Sequence, residues 1–108
     1  MATLLVDDKR DIPADFVARD YWTAVKTIQQ YPGRFDVIYL DHDLGCYDAD
    51  GREFTGFDFL KYITEFAQYI PNSIVVVTDN GSVRREMEYA VQRMYERLAD
   101  GSLSQDQQ

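Results

Sequence analysis

The sequence predicts a single α/β domain: an open parallel sheet of about four strands with helices on both faces, giving three layers. Three observations point there. Residues 3–6, 36–40 and 74–78 are short runs that are apolar on both faces, as strands buried between helices require. Segments of helical periodicity follow them in turn. Strand and helix alternate in the order that right-handed crossovers produce.

Taken in order, residues 3–6 form the first strand, and residues 16–19 supply a short strand at the sheet edge. Asp20 caps a helix from Tyr21 to about Tyr31, with Trp22, Val25 and Ile28 on one side and Pro32-Gly33 as its stop. After the strand at 36–40 comes a connection of about sixteen residues, from Asp41 to Gly56. A connection of that length usually binds or covers something. Thr55 and Asp58 form a capping box for the next helix, whose Phe59, Leu60, Ile63, Phe66, Ala67 and Ile70 recur at helical spacing up to Pro71-Asn72. The last strand, 74–78, is followed by an Asn80-Gly81 turn and a helix capped by Ser82. That helix turns Val83, Met87, Ala90, Val91, Met94 and Leu98 inward and Arg84, Arg85, Glu88 and Gln92 outward, and ends at Gly101. The domain spans residues 1–101, and residues 102–108 form a frayed polar tail.

The chain has 108 residues, of which 45% are hydrophobic, enough for one small domain with a real core. Eleven basic residues against nineteen acidic ones give a net charge of -8, a field that repels a nucleic-acid backbone and argues against general nucleic-acid binding. The single cysteine, Cys46, cannot form an internal disulfide. No apolar run approaches the ~20 residues that span a bilayer, and residues 1–10 do not read as a signal peptide. A cytoplasmic protein is expected.

The polar residues concentrate where the strands end. Asp7 and Asp8 follow the first strand, Asp41, His42 and Asp43 the third, and Thr78, Asp79 and Asn80 the last. In open parallel sheets that rim is where ligands bind. If the first and third strands are neighbours, three or four carboxylates converge, and a hard divalent cation relieves their repulsion. Mg²⁺ or Mn²⁺ is expected, bound directly by Asp8 and Asp41, with Asp7 or Asp43 acting through water; one ion or two fit equally. Arg10 either pairs with an acid or holds a phosphate oxygen. His42, the only histidine, has two readings. It serves as a general acid or proton shuttle, or period-two alternation turns it away from Asp41 and Asp43 onto a helix. Thr78 and Asn80 can donate hydrogen bonds to a phosphoryl oxygen. Tyr47 can stack on a substrate base. Asp48, Asp50 and Glu53 lack the spacing of a calcium loop, and Cys46 has no activating base nearby in the sequence.

These acids, with Leu44-Gly45, Gly56 and Thr78, resemble the receiver domain of bacterial two-component response regulators. The resemblance implies a truncated flavodoxin-like sheet of strand order 2-1-3-4 without the usual fifth strand. It also implies Mg²⁺ at the acid pair, a phosphoryl acceptor at Asp41 and a phosphoryl contact at Thr78. The receiver lysine after a fifth strand has no counterpart, since lysines stand only at 9, 26 and 61. The sequence is more similar to a shortened branch of that fold found in bacteria and phages, the cyclic-phosphate-processing receiver domains. Its Asp-Asp-x-Arg-x-x-Pro motif stands here at residues 7–13, and its Asp-His-Asp-Leu-Gly motif at residues 41–45. The third motif, His-Ser-x-Asn followed by a methionine, reads Val77-Thr78-Asp79-Asn80 with Met87, so valine replaces the histidine.

The expected function is a metal-dependent phosphoesterase acting on a small or cyclic phosphate ester. Asp7, Asp8 and Asp41 would serve as ligands, His42, Asp43, Arg10 and Asn80 as the chemical groups, and Arg10, Thr78 and Asn80 as the phosphate contacts. The alternatives are a non-catalytic module that binds a protein partner and a phospho-acceptor receiver.

Overall fold

The computed structural model describes residues 2–33 and 35–101; the expected tail at 102–108 lies outside them. In chain order the elements are β1 (Ala2–Val6), β2 (Phe16–Ala18), α1 (Tyr21–Gln30), β3 (Phe35–Leu40), β4 (Cys46–Tyr47), β5 (Glu53–Phe54), α2 (Gly56–Thr64), a 3-10 turn (Ala67–Tyr69), β6 (Ser73–Val76) and α3 (Gly81–Asp100). Four strands form a parallel sheet in the order β2-β1-β3-β6. This is the expected 2-1-3-4 order, with β6 in the fourth place. A two-stranded antiparallel hairpin, β4-β5, is inserted after β3.

Local chemistry sets the helix ends. The Asp20 carboxylate accepts from Thr23 N at 2.8 Å. Asp20→Ala is expected to cost about 1 kcal/mol, read as a lower urea midpoint with an unchanged slope. At α2 the Asp58 carboxylate accepts from Thr55 N at 2.8 Å, and Thr55 Oγ1 accepts from Phe57 N at 3.2 Å, so the capping box forms. At α3 the cap is Asn80, whose Oδ1 accepts from Val83 N at 3.1 Å, and Ser82 lies inside the helix. Gly101 ends α3 at φ 79°, the left-handed conformation that glycine adopts without cost.

Two expectations are corrected. The helix from Gly56 stops at Thr64 rather than running to Ile70. Phe66 turns extended, and the short 3-10 turn brings Tyr69 to stack on Tyr62 with ring centroids 5.6 Å apart. Pro71 also holds Ile70 out of the helical region. The second correction concerns layers. One core cluster unites Leu4, Val6, Ile38, Leu40 and Val76 of the sheet with Ala24 and Ile28 of α1, Phe59, Leu60 and Ile63 of α2, and Met87 and Met94 of α3. These strand residues alternate along their strands and share one face, so all three helices pack on that face. The opposite face carries Val17, Leu5, Tyr39 and Val75 in register across the four strands. None of them belongs to the cluster; Leu5 is nonetheless fully buried and Tyr39 half-buried, while Val17 and Val75 are 44% and 43% exposed. Two layers stand where three were expected, because the segment between β1 and β2 forms no helix. It is instead tied to β1 by Asp15, whose carboxylate accepts from Thr3 N (2.9 Å) and Oγ1 (3.2 Å).

Candidate metal and phosphate site

Parallel strands bring their carboxyl ends to one rim, so β1, β3 and β6 deliver their following residues together. Val6 O accepts from Asp41 N at 2.9 Å, and Leu40 O accepts from Val77 N at 3.0 Å, continuing the ladder to the rim. Asp7, Asp8, Lys9, Arg10, Asp41, Asp43, Thr78, Asp79 and Asn80 line an open cleft there of about 670 Å³.

Asp7 is buried and its two oxygens do different work. Oδ1 accepts from Lys9 N at 3.0 Å and Arg10 N at 2.9 Å, which folds the turn after β1. Oδ2 accepts from Arg10 Nη1 at 2.7 Å. The same guanidinium reaches Asp79 Oδ2 at 3.0 Å and stands 3.9 Å from Asp41 Oδ1. Arg10 therefore ties the loop after β1 to the loop after β6. Asp8 is served differently, because its Oδ1 is buried without a hydrogen-bond partner. One carboxylate oxygen each from Asp7, Asp8 and Asp41 lie within 4.8 Å of one another, a group that can hold a metal ion. Burial, and after it the Asp7 carboxylate, raise the Asp41 pKa above the ordinary carboxylate value, against the pull of Arg10. An unpartnered buried oxygen and three converging hard donors are what a divalent cation would satisfy.

Thr78 is buried, and its Oγ1 accepts from Asn80 N at 3.4 Å. Asn80 spends its Oδ1 on the α3 cap, which leaves its amide N–H groups for a ligand. The expected ligand and phosphate residues, together with Asp43, thus come to one cleft, and His42 does not line it. The chain leaves β3 at Leu40 and bends at His42, whose ring meets Phe57 of α2 edge-on at 5.7 Å. Its Nδ1 lies 3.0 Å from Asp43 Oδ1, which connects it to the cleft through that carboxylate. Tyr47 is 61% exposed on the hairpin and is not a lining residue. Asp48 closes that hairpin by accepting at Oδ1 from Asp50 N and Arg52 N, both at 2.9 Å.

Three residues take roles that the sequence did not announce. Asp79 becomes the second anchor of Arg10. Arg84, expected to face outward, donates to Thr78 O at 2.7 Å and Val76 O at 3.4 Å, steadying the loop that presents Thr78. Arg19 Nη1 donates to Arg10 O at 2.8 Å and Asp7 O at 3.3 Å from the other side.

A shortened receiver-like α/β sheet with an acidic triad and an arginine at its carboxyl rim defines the class. The chain belongs to the family of cyclic-phosphate processing receiver domains, which it matches over residues 2–93. No curated protein sequence and no solved structure matches it. Among the described residues no helix is long and apolar enough to cross a membrane.

Proposed function

We propose that this protein is a Mg²⁺- or Mn²⁺-dependent phosphoesterase acting on a small or cyclic phosphate ester. The observation that carries this reading is one cleft holding three convergent carboxylates beside an arginine, a threonine hydroxyl and the Asn80 carboxamide. Membership of a family described as cyclic-phosphate processing supports it. Asp8 and Asp41 would hold the ion, with Asp7 beside them. Such an ion supplies a water of lowered pKa and polarises the phosphoryl group. Arg10, Thr78 Oγ1 and the Asn80 carboxamide bind the phosphoryl oxygens and orient the ester as negative charge grows on them. Asp43 faces the cleft and, as a carboxylate, takes a proton from the attacking water and passes it to the leaving oxygen. With its Nδ1 protonated, His42 donates to Asp43 Oδ1 at 3.0 Å and so acts through that carboxylate as a positioning residue.

The test is release of phosphate monoester from 2′,3′- and 3′,5′-cyclic nucleotides with and without Mg²⁺ or Mn²⁺. Turnover that requires the metal and falls at least about 100-fold in Asp41→Ala is the expected outcome, the scale of losing a principal stabiliser of transition-state charge. Hydrolysis indifferent to metal and to Asp41→Ala would contradict it.

A second reading, a module that binds a protein partner, is favoured by one specific observation: the helix-free sheet face, on which Val17 and Val75 are exposed. Parallel sheets are ordinarily covered on both faces. Capture of a partner at full strength after Asp41→Ala, with no metal-dependent turnover, would select that reading.

A further inference from the structure

We infer that Arg10 is the resident counter-ion of the acidic cleft, displaced by an arriving divalent cation and thereby released to bind the phosphoryl group. This rests on the cation-dependent reading above and adds an order of events to it.

The carboxylate geometry carries the inference. Both Asp7 oxygens are already engaged, Oδ1 by two backbone N–H groups of its own turn and Oδ2 by Arg10 Nη1 at 2.7 Å. The turn bonds hold the loop after β1 in shape, so Oδ2 is the oxygen that can be freed, and only by moving the guanidinium. Arg10 also stands 3.9 Å from Asp41 Oδ1 and 3.0 Å from Asp79 Oδ2, which places its charge among the groups a cation would use. Asp8 Oδ1, meanwhile, has no partner. One guanidinium therefore offsets part of the repulsion among these acids and leaves a vacancy of charge at Asp8. A dication neutralises Asp7, Asp8 and Asp41 together, which removes the reason for Arg10 to stay.

Its other anchor, Asp79, is 92% exposed at the side chain, where an ion pair contributes little. The Arg10 side chain is 29% exposed and already lines the cleft, so a phosphate oxygen can take the place of the lost carboxylate. Cation binding and phosphate binding are then sequential, and Arg10 has opposite effects on the two.

The experiment uses the full chain, with calorimetric titration of Mg²⁺ and then of inorganic phosphate into the Mg²⁺-saturated protein. Arg10→Met keeps the apolar stem and removes the guanidinium. It is expected to bind Mg²⁺ about tenfold more tightly, the equivalent of one ion pair of about 1.4 kcal/mol, and to bind phosphate at least about tenfold more weakly. Cation affinity unchanged or lowered in Arg10→Met overturns the inference while leaving the phosphoesterase reading intact. Binding of neither Mg²⁺ nor Mn²⁺ by the unaltered protein overturns both.

A measurement on the unaltered protein separates displacement from simple charge repulsion and does not depend on the variant folding. The Arg10 guanidinium resonances, followed by NMR, should be protected from solvent exchange without cation. They should lose that protection at Mg²⁺ saturation and regain it with phosphate. Protection retained at Mg²⁺ saturation would show that Arg10 stays on Asp7, and the inference would fail.

Discussion

Gly56→Ala is expected to destabilise the protein by about 3 kcal/mol, at the upper end of what overpacking costs, and to disturb the cleft with it. A Cβ at Gly56 would overlap the Asp41 carbonyl oxygen, and it would lie 2.8 Å from Met87 Cε and 3.0 Å from Asp41 C. Met87 is an unbranched side chain that can yield, whereas the Asp41 carbonyl is backbone at the end of β3. Gly56 N also donates to His42 O at 2.8 Å, so α2 begins pinned against the strand it would have to leave. Any relief moves either the start of α2 or the backbone that aims Asp41 at Asp8. Urea unfolding should give a much lower midpoint with an unchanged slope. A loss below about 1 kcal/mol would show that α2 shifts freely, and that close packing at Gly56 does not fix the cleft.

Asp41→Asn is expected to have two effects of opposite kind. Without cation at pH 7 the variant should be more stable than the unaltered protein by on the order of 1 kcal/mol, several degrees in midpoint for a domain of this size. The sign follows from the pKa. Burial and Asp7 raise the Asp41 pKa in the folded protein, so the fold holds that proton more tightly than the unfolded chain does. The contribution of Asp41 to stability is then full below the ordinary carboxylate pKa near 4, is lost as pH rises through the raised value, and stays lost at neutrality. Asparagine carries no such charge and escapes the loss, so the gap between the two proteins should close on acidification toward about pH 3. With Mg²⁺ the order reverses, because binding to the folded state stabilises it and the variant lacks a ligand. Thermal midpoints across pH, with chelator and with Mg²⁺, read both effects. A variant less stable at pH 7 without cation would mean that Asp41 is well compensated by Arg10 alone.

Features set by neighbouring residues were legible in the sequence. The caps at Asp20 and Thr55-Asp58 and the stop at Gly101 each depend on residues a few positions apart, and each forms. The convergence of Asp7, Asp8 and Asp41 needed one further step, that β1 and β3 are parallel neighbours, which the double-sided apolar runs implied. The side taken by His42 was left open between two readings; the ring packs on Phe57 while its Nδ1 still reaches Asp43, a placement set by the bend after β3 rather than by strand alternation.

Features that depend on contacts distant in sequence were not legible. Helical spacing persists through Phe66 and Ala67, so nothing local announced that the chain would break there to stack Tyr69 on Tyr62. Apolar residues on both strand faces said that each face avoids water, but not that helices of this chain would cover only one. Arg84 read as an outward-facing charge, and nothing in the sequence tied Arg19 or Asp79 to Arg10, until the fold brought all three to the loops around the cleft.

The central claim, that the acidic rim is an assembled cation centre, is tested most directly by calorimetric titration of Mg²⁺ and Mn²⁺ into the metal-free protein, with Asp41→Ala as control. Saturable binding in the micromolar to low-millimolar range, abolished in the variant, is the expected result. Absence of binding for both ions, or binding undiminished in Asp41→Ala, would contradict the claim and favour the helix-free sheet face as the functional surface.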